Sequence, residues 1–220
     1  MKKYAVLVAG GNGSRMNSEI PKQFLLIKNK PVLFYTIKSF VDAFDDIQII
    51  LVVPQDFIDS TNEIIKDHFQ NHNIQITSGG ATRFESVKNG LKFVSLDSIV
   101  FVHDAVRCLI GKDLIIRCYE QAKISGTAIP AINSKDSIRI VENELNRSVN
   151  RSAVKLIQTP QVFKSDLLLN AFDVEFNEAF TDEASVVEFA GHSVTLVEGD
   201  ENNIKITYPI DLIVAEKLLQ

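Results

Sequence analysis

An α/β fold, with a mostly parallel sheet flanked by helices, is the architecture that this 220-residue sequence predicts. Short apolar runs recur along the chain, and each is followed by a loop and then by a segment of helical periodicity. This alternation is typical of parallel sheets covered by helices on both faces. With 45% hydrophobic and 23% charged residues, the composition is that of one globular domain that needs no metal or disulfide to stabilise its core.

The apolar runs are the predicted strands, in this order: Tyr4–Val8, Ile49–Val53, Ile74–Thr77, Ile99–Val102 and Thr127–Ile132. Apolar positions at helical spacing predict helices over Val32–Val41 and Asp56–Phe69, and a last helix begins at Pro209. A further helix carries one apolar stripe, formed by Leu114, Ile115, Cys118, Tyr119 and Ala122. Ligands of open α/β sheets bind beyond the carboxyl ends of the strands, so the loops there are the candidate sites.

One polar segment, residues 133–158, interrupts this alternation and is called the arm below. It predicts two short strands, Ser137–Val141 and Ser148–Val154, joined by turn residues at 142–146. A two-stranded ribbon is not stable by itself in water. Our hypothesis is that the arm docks on a second copy of a single-domain chain and forms a homodimer. The alternative is a hairpin folded back on its own domain, and a monomeric mass at micromolar concentration would reject the dimer.

The net charge of −5 and the pI near 5.4 argue against non-specific nucleic-acid binding, which requires an excess of Lys and Arg. Any anionic ligand must therefore meet a local basic cluster. Cys108 and Cys118 have no neighbouring Cys or His pair that would indicate zinc, so we expect reduced packing residues. Because the apolar run before Gly10 is too short for a signal or membrane segment, we expect a cytoplasmic protein without a membrane partner.

The loop after the first strand, residues 9–16, places Gly10, Gly11 and Gly13 within four positions. Glycines there allow backbone N–H groups to surround phosphate oxygens. The loop is not a Walker A motif, because Gly-Lys-Ser/Thr is missing. It is not a dinucleotide fingerprint either, because Met16 occupies the position of the third glycine.

Arg15 and Lys22 add two cations beside this loop. Near a partly desolvated site, each charge contact with a phosphate is worth about 4 kcal/mol at an effective dielectric constant of about 20. Together with the glycines they suit a triphosphate. The alternative is an ordinary strand-to-helix turn with two exposed cations.

A second candidate loop, Gly79–Ser86, follows the third predicted strand. Thr82 and Glu85 have the spacing of a capping box, which predicts that a helix begins there with free N–H groups on the ligand side. Backbone donors and the Ser86 hydroxyl could then bind a base edge. The alternative is a helix N-terminus without a ligand.

A third candidate site follows the fourth predicted strand. Asp104 could hold a ligand hydroxyl or a magnesium-bound water, and Arg107 could bind a phosphate. A surface ion pair between Asp104 and Arg107 explains the same residues, and His103 is expected to be structural. Near the C-terminus, Lys205 lies between two isoleucines and is either an outward-facing strand residue or a cation directed into the site.

Over essentially its whole length the chain resembles the 2-C-methyl-D-erythritol 4-phosphate cytidylyltransferase (CDP-methylerythritol synthase) family. The resemblance rests on ordered motifs at residues 9–16, 21–23, 79–83, 103–107, 158–163, 181–185 and 203–207. It implies a Rossmann-like nucleotidyltransferase fold and a homodimer interlocked by the arm. The implied reaction belongs to non-mevalonate isoprenoid biosynthesis: the acceptor phosphate attacks the α-phosphorus of CTP and expels pyrophosphate.

The resemblance also implies roles for individual residues. The catalytic cations would be Arg15, Lys22 and Lys205. The nucleotide would be bound by Ala9, Gly10, Gly11, Gly13, Gly80, Ala81, Arg83 and Ser86. The acceptor would be bound by Asp104, Arg107, Ser137, Arg151, Thr159 and Thr181, with Ser137 and Arg151 serving the partner's site. The implied cofactor, Mg²⁺ or another divalent cation, would be held mainly by the CTP phosphates, with Asp104 as the nearby protein group.

Two alternatives remain open in the sequence. Ribitol 5-phosphate cytidylyltransferases share the first loop, the Pro-Lys-Gln step and the His-Asp-Ala-Val-Arg segment, whereas residues 150–152 and 181–185 favour the methylerythritol enzymes. From another class, a regulatory module that binds CTP without turning it over would not need both Lys22 and Lys205.

Overall fold

The computed structural model of the protein describes residues 1–10 and 20–219. The first strands are β1 (Lys2–Val8), β2 (Leu26–Ile27), β3 (Lys30–Pro31), β4 (Ile47–Val53), β5 (Ile74–Ser78) and β6 (Ser98–Asp104). The later strands are β7 (Thr127–Asn133), β8 (Ile138–Glu142), β9 (Leu145–Val149), β10 (Lys155–Ile157), β11 (Gln161–Lys164) and β12 (Leu196–Glu198). The helices are α1 (Val32–Ala43), α2 (Ile58–His68), α3 (Arg83–Leu91), α4 (Lys112–Ser125), α5 (Ser165–Ala171), α6 (Glu183–Phe189) and α7 (Pro209–Leu218).

Strands β1, β4, β5 and β6 are mutually parallel, and β1 lies between β4 and β6. In the eight-stranded sheet the order is β10-β7-β11-β6-β1-β4-β5, with β12 paired to β7. All five predicted strands are present as β1, β4, β5, β6 and β7. The fold is therefore the predicted α/β architecture with a mostly parallel sheet.

Alternate residues of β1 enter two different cores, one on each face of the sheet. Ala5 and Leu7 pack with the buried side chains of α1 and α4, whereas Tyr4 and Val6 pack with those of α3, α5 and α6. Because both faces of the strand are covered, all four side chains are almost completely buried. Helices flank the sheet on both sides, as predicted.

Three short strands of the sheet were not predicted from the sequence. Strand β11 is antiparallel to both β6 and β7, β10 is antiparallel to β7, and β12 is parallel to β7. Each has only three or four residues, too few for a periodicity to be visible. They extend the sheet from the third candidate site towards the C-terminal segment.

The arm differs from the prediction in its second strand. The hairpin consists of β8 and β9, so the second strand is Leu145–Val149 rather than Ser148–Val154. Asn143 and Glu144 both have positive φ, 46° and 68°, and form a tight two-residue turn. The second strand of the hairpin therefore begins earlier in the chain than predicted. The Asn150 side chain then accepts a hydrogen bond from the Ser152 N–H and begins a short 3₁₀ helix at Arg151–Ala153.

Both cysteines are free and buried, as expected for packing residues, and burial raises the pKa of each thiol to about 12. The predicted capping box is present: the Thr82 hydroxyl accepts from the Glu85 N–H, and the Glu85 carboxylate accepts from the Thr82 N–H. None of the helices in residues 1–10 and 20–219 is both long and apolar enough to cross a bilayer.

Candidate active site

The carboxyl ends of the parallel strands bring the candidate loops to one edge of the sheet. The N–H of Ala9 donates to Val52 O at 2.7 Å, and the N–H of Gly79 donates to Val53 O at 2.9 Å. In the third loop, the N–H of Ala105 donates to Val8 O at 3.0 Å. The first, second and third loops therefore begin side by side.

The start of the first loop is held by the Pro-Lys-Gln step. The buried Gln23 amide donates to Ala9 O at 2.6 Å. Ala9 is buried and Gly10 is partly exposed. The other predicted residues of this loop, Gly11, Gly13 and Arg15, lie outside the described residues.

Lys22 is bonded to the residue next to Lys205, although the two lysines are far apart in the chain. Lys22 is 9% exposed, and its ammonium donates to Ile206 O at 2.8 Å. Ile206 directly follows Lys205, so this bond ties Lys22 to the C-terminal segment. That segment is not a strand, and the Lys205 ammonium lies 2.8 Å from Asp104 Oδ2. The alternative of Lys205 as an outward-facing strand residue is therefore wrong.

In the second loop, Ser86 lies beneath the glycines. Its buried hydroxyl donates to Thr82 O at 2.9 Å and accepts from the Gly80 N–H at 3.1 Å. Gly80 and Ala81 are exposed at the start of α3. The hydroxyl of Ser86 thus shapes the loop, while the backbone of the two exposed residues is accessible to a ligand.

Asp104, at the end of β6, is surrounded by three cations. Its Oδ1 accepts from Arg83 Nε at 3.3 Å and Nη2 at 3.1 Å, while Oδ2 faces Lys205 at 2.8 Å and Arg107 Nε at 3.9 Å. Burial alone would raise the pKa of Asp104, but the charges of Arg83, Lys205 and Arg107 outweigh it and hold that pKa well below its usual range. The pair of Asp104 and Arg107 is buried, so it is not the surface ion pair considered above.

Residues 4–220 match the IspD family, described as 2-C-methyl-D-erythritol 4-phosphate cytidylyltransferase. The chain belongs to this family. The enzyme of that name from Bacteroides fragilis is 46% identical over 219 residues, covering 100% of both chains.

Solved structures of the family agree with this assignment. A 4-diphosphocytidyl-2C-methyl-D-erythritol synthase structure from Anaerococcus prevotii has a TM-score of 0.86 at 29% identity and covers 100% of this chain and 98% of that one. The Francisella tularensis 2-C-methyl-D-erythritol 4-phosphate cytidylyltransferase structure has a TM-score of 0.81 at 33% identity, with 100% of both chains covered. The protein is thus a nucleotidyltransferase with the predicted Rossmann-like fold.

Within this IspD-family site, Thr159 is bonded to the end of β6. Its hydroxyl lies 3.1 Å from His103 Nδ1 and accepts from the Asp104 N–H at 3.1 Å. His103 Nε2 lies 3.2 Å from Arg107 O, and since a carbonyl can only accept, Nε2 carries the proton and Nδ1 accepts from Thr159. Burial lowers the pKa of His103 to about 3, so the ring is neutral. Thr159 is itself buried, with its hydroxyl directed at these partners.

Arg107 is held by the segment that precedes Lys205. Its Nη1 donates to Asn203 O at 2.7 Å, and the Asn203 amide donates to Thr159 O at 2.8 Å. Asn203 is fully buried, a role that sequence analysis missed because a single Asn in a polar loop carries no distinct pattern. Among the described residues, Arg107 Nε and Asn203 Oδ1 have no hydrogen-bond partner.

Other predicted acceptor residues lie apart from this cluster. Ser137 and Arg151 are exposed on the arm, and Arg151 Nη1 donates to Lys135 O at 3.0 Å. Thr181 is exposed just before α6, where its N–H donates to Ser185 Oγ at 3.1 Å. In the described part of one chain, no hydrogen bond or ion pair joins Ser137 or Arg151 to the Asp104 cluster.

The donor set does not fit a protein-held metal ion. Within residues 1–10 and 20–219, no three His, Cys, Asp or Glu side chains lie together as metal ligands. Asp104, the carboxylate considered above for magnesium, is already shared by three cations. A divalent ion is better matched by the oxygens of a triphosphate, as part of the nucleotide substrate.

Proposed function

We propose that this site carries out cytidylyl transfer from CTP to 2-C-methyl-D-erythritol 4-phosphate, using Lys22 and Lys205 as paired cations at the reacting phosphate. The products are CDP-methylerythritol and pyrophosphate, in non-mevalonate isoprenoid biosynthesis. The observation that carries the proposal is the bond from Lys22 to Ile206 O, which places Lys22 beside the segment that bears Lys205.

The chemistry requires charge neutralisation rather than a general base. A phosphate monoester has a second pKa near 6, so the attacking oxygen is already anionic at neutral pH. It forms a bond to the α-phosphorus of CTP while the bond from that phosphorus to the bridging oxygen breaks, and pyrophosphate departs with the electron pair. The buried and neutral His103 is not needed for proton transfer. Positioned cations supply the main catalytic effect.

On the nucleotide side, we assign the triphosphate to the backbone of the first loop together with Arg15 and Lys22. The exposed backbone of Gly80 and Ala81 is assigned to the base. Ser86 and Arg83 support this side indirectly, since both are engaged with protein groups. The divalent cation, Mg²⁺ or an equivalent, is part of the CTP substrate.

On the acceptor side, Asp104 offers a carboxylate to substrate hydroxyls, and Lys205 and Arg107 offer charge to its phosphate. We propose that Ser137 and Arg151 complete the site of a partner subunit in a homodimer formed through the arm. The exposed apolar side chains of its hairpin, Val141 at 70% and Leu145 at 78%, support such a contact. We expect this dimeric enzyme to act in the cytoplasm.

The decisive assay measures pyrophosphate release from CTP and Mg²⁺ with methylerythritol 4-phosphate or ribitol 5-phosphate offered separately. Turnover with methylerythritol 4-phosphate alone is the expected result. Preference for ribitol 5-phosphate would overturn the acceptor, and tight CTP binding with neither acceptor converted would indicate a regulatory module.

A further inference from the structure

Glu183 is an acidic residue inside the protein with no role in the reaction described above. It lies at the first position of α6, directly after the capping residue Asp182, and only 1% of it is exposed. Carboxylates are seldom buried this completely unless a cation compensates them. Its partner is Arg83, which also contacts Asp104.

Arg83 donates hydrogen bonds to two carboxylates, those of Glu183 and Asp104. Its Nη1 and Nη2 meet the two oxygens of Glu183, with Nη2 at 3.1 Å from Oε2. Its Nε and Nη2 also reach Asp104, where both select Oδ1. Oδ2 of Asp104 remains for Lys205 and Arg107.

This distribution of the Arg83 hydrogen bonds depends on the carboxylate of Glu183. A guanidinium next to a single carboxylate favours a bidentate pose over both oxygens. If Glu183 lost its charge, Asp104 would be the one anionic partner left to Arg83 among the described residues, and Arg83 would compete with Lys205 for Oδ2. Glu183 therefore determines which oxygen of Asp104 Arg83 occupies.

We propose that Glu183 is a positioning residue for cytidylyl transfer, acting through Arg83 to keep Oδ2 of Asp104 available to Lys205, Arg107 and the acceptor. This inference rests on the proposed function of Asp104 and Lys205. It concerns the acceptor half of the site, because α3 and the second loop are held independently by the capping box and by stacking of Phe84 on Phe172.

The first test is Glu183→Gln, which keeps the shape of the side chain and removes its charge. Since small displacements of reacting groups cost up to about 100-fold in rate, we expect kcat/KM for the acceptor to fall roughly 10- to 100-fold. CTP binding without acceptor, measured by calorimetry, should be unchanged. Glu188→Gln, the same substitution at an exposed position of the same helix, is the matched control and should change neither quantity.

A double variant separates positioning from a purely structural clamp between α3 and α6. Glu183→Gln alone leaves a buried charge with one partner fewer, whereas adding Arg83→Gln removes that charge too. Because Arg83 is the group that would compete for Oδ2, its removal frees that oxygen, and we expect kcat/KM for the acceptor to be higher in the double variant than in Glu183→Gln alone. A double variant as inactive as Glu183→Gln would show that the lost clamp, and not competition for Oδ2, is responsible and would overturn the proposal, as would equal losses of CTP and acceptor binding in Glu183→Gln.

A readout without turnover keeps this inference distinct from the proposed function. In a crystal structure of the ligand-free Glu183→Gln protein, the Lys205 ammonium is expected to have left Asp104 Oδ2. An unchanged Lys205–Asp104 pair would overturn the inference even if wild-type activity is as proposed. Conversely, absence of wild-type pyrophosphate release would reject the proposed function while this structure still decides how Glu183 acts.

Discussion

Lys22 and Lys205, the two lysines of the site, differ in how firmly the protein holds them. Lys205 is 40% exposed in its side chain and is paired with a carboxylate that substrate hydroxyls can also use. Lys22 is almost fully buried and bonded to a backbone carbonyl. A substitution at Lys205 therefore affects mainly chemistry, whereas one at Lys22 also removes a bond between distant parts of the chain.

We predict that Lys205→Ala lowers kcat by about 100- to 1000-fold, as for the loss of one preorganised charge at a transition state, and lowers the thermal midpoint less than Lys22→Ala does, because Asp104 keeps Arg83 and Arg107 as partners. Lys22→Ala is expected to lower both kcat and the thermal midpoint. Steady-state kinetics and calorimetry on the same preparations distinguish the two effects. Lys217→Ala on α7, also an exposed lysine, is the control. Near wild-type kcat in Lys205→Ala would remove this lysine from the mechanism.

Gly10 and Gly80 give a second prediction at the residue scale. A Cβ on Gly80 would lie 2.3 Å from the Cβ of Glu85, which the capping box holds in place, whereas one on Gly10 would come no closer than 3.1 Å, to the Ser86 hydroxyl. Gly80→Ala must therefore displace the start of α3, and we expect CTP affinity to fall at least tenfold, or about 1.4 kcal/mol. Gly10→Ala should bind CTP nearly as tightly as the wild type. Calorimetric titration with CTP checks both, and equal affinities in the two variants would argue against base binding at Gly80.

At the scale of elements, the arm is the least self-sufficient part of the fold. Within residues 1–10 and 20–219, strands β8 and β9 pair only with each other, and all of their residues are exposed or partly exposed. The hairpin conformation is encoded locally, by the turn at Asn143 and Glu144. A contact of the hairpin with another surface is not encoded locally, and the proposed homodimer would supply one.

Subunit mixing tests whether the arm serves the partner's site. Arg151→Ala and Lys205→Ala homodimers should each be nearly inactive, since one lacks the donated residue and the other the resident one. After mixing and exchange, half of the dimers are mixed and each of these has one intact site, so we expect about a quarter of wild-type activity. Activity that does not rise on mixing, in dimers shown by mass to have exchanged, would place Arg151 in its own subunit's site.

At the scale of the whole molecule, the sequence predicts the regular strands and helices but not the contacts between residues far apart in the chain. The long parallel strands and α1, α2 and α4 follow from periodicity, and the start of α7 follows from Pro209. The loops that end β1, β5 and β6 follow from the sheet rule for ligand sites. The contacts that join those loops connect distant positions: Lys22 with Ile206, Arg83 with Glu183, and Arg107 with Asn203. No local pattern encodes such pairs, and Glu183 in particular is not among the predicted site residues.

The stability of the whole fold should depend on pH through His103. Its ring packs against Phe40 and is fully buried between Asp104, Arg107 and Thr159. Burial lowers its pKa to about 3, while the unfolded chain takes up this proton near pH 6.5. Between these values the unfolded state binds more protons, so stability is lost as the pH falls below about 6.5.

From pH 7.5 to 5.5 this single proton costs about 1.4 kcal/mol of unfolding free energy, a loss that a non-titrating residue at the same position cannot show. We therefore predict that urea unfolding of the wild type loses about 1.4 kcal/mol more over this interval than His103→Gln does. The low pKa of Asp104 changes the free energy of unfolding only when the pH falls below the ordinary carboxyl range near 4. Burial raises the pKa of Glu183, so its contribution to the free energy of unfolding changes with pH in the opposite direction. Both carboxylates are present in the two proteins, so their effects cancel in the difference. Parallel stability curves for wild type and variant would show that His103 is not the neutral, buried histidine that links Thr159 to Arg107.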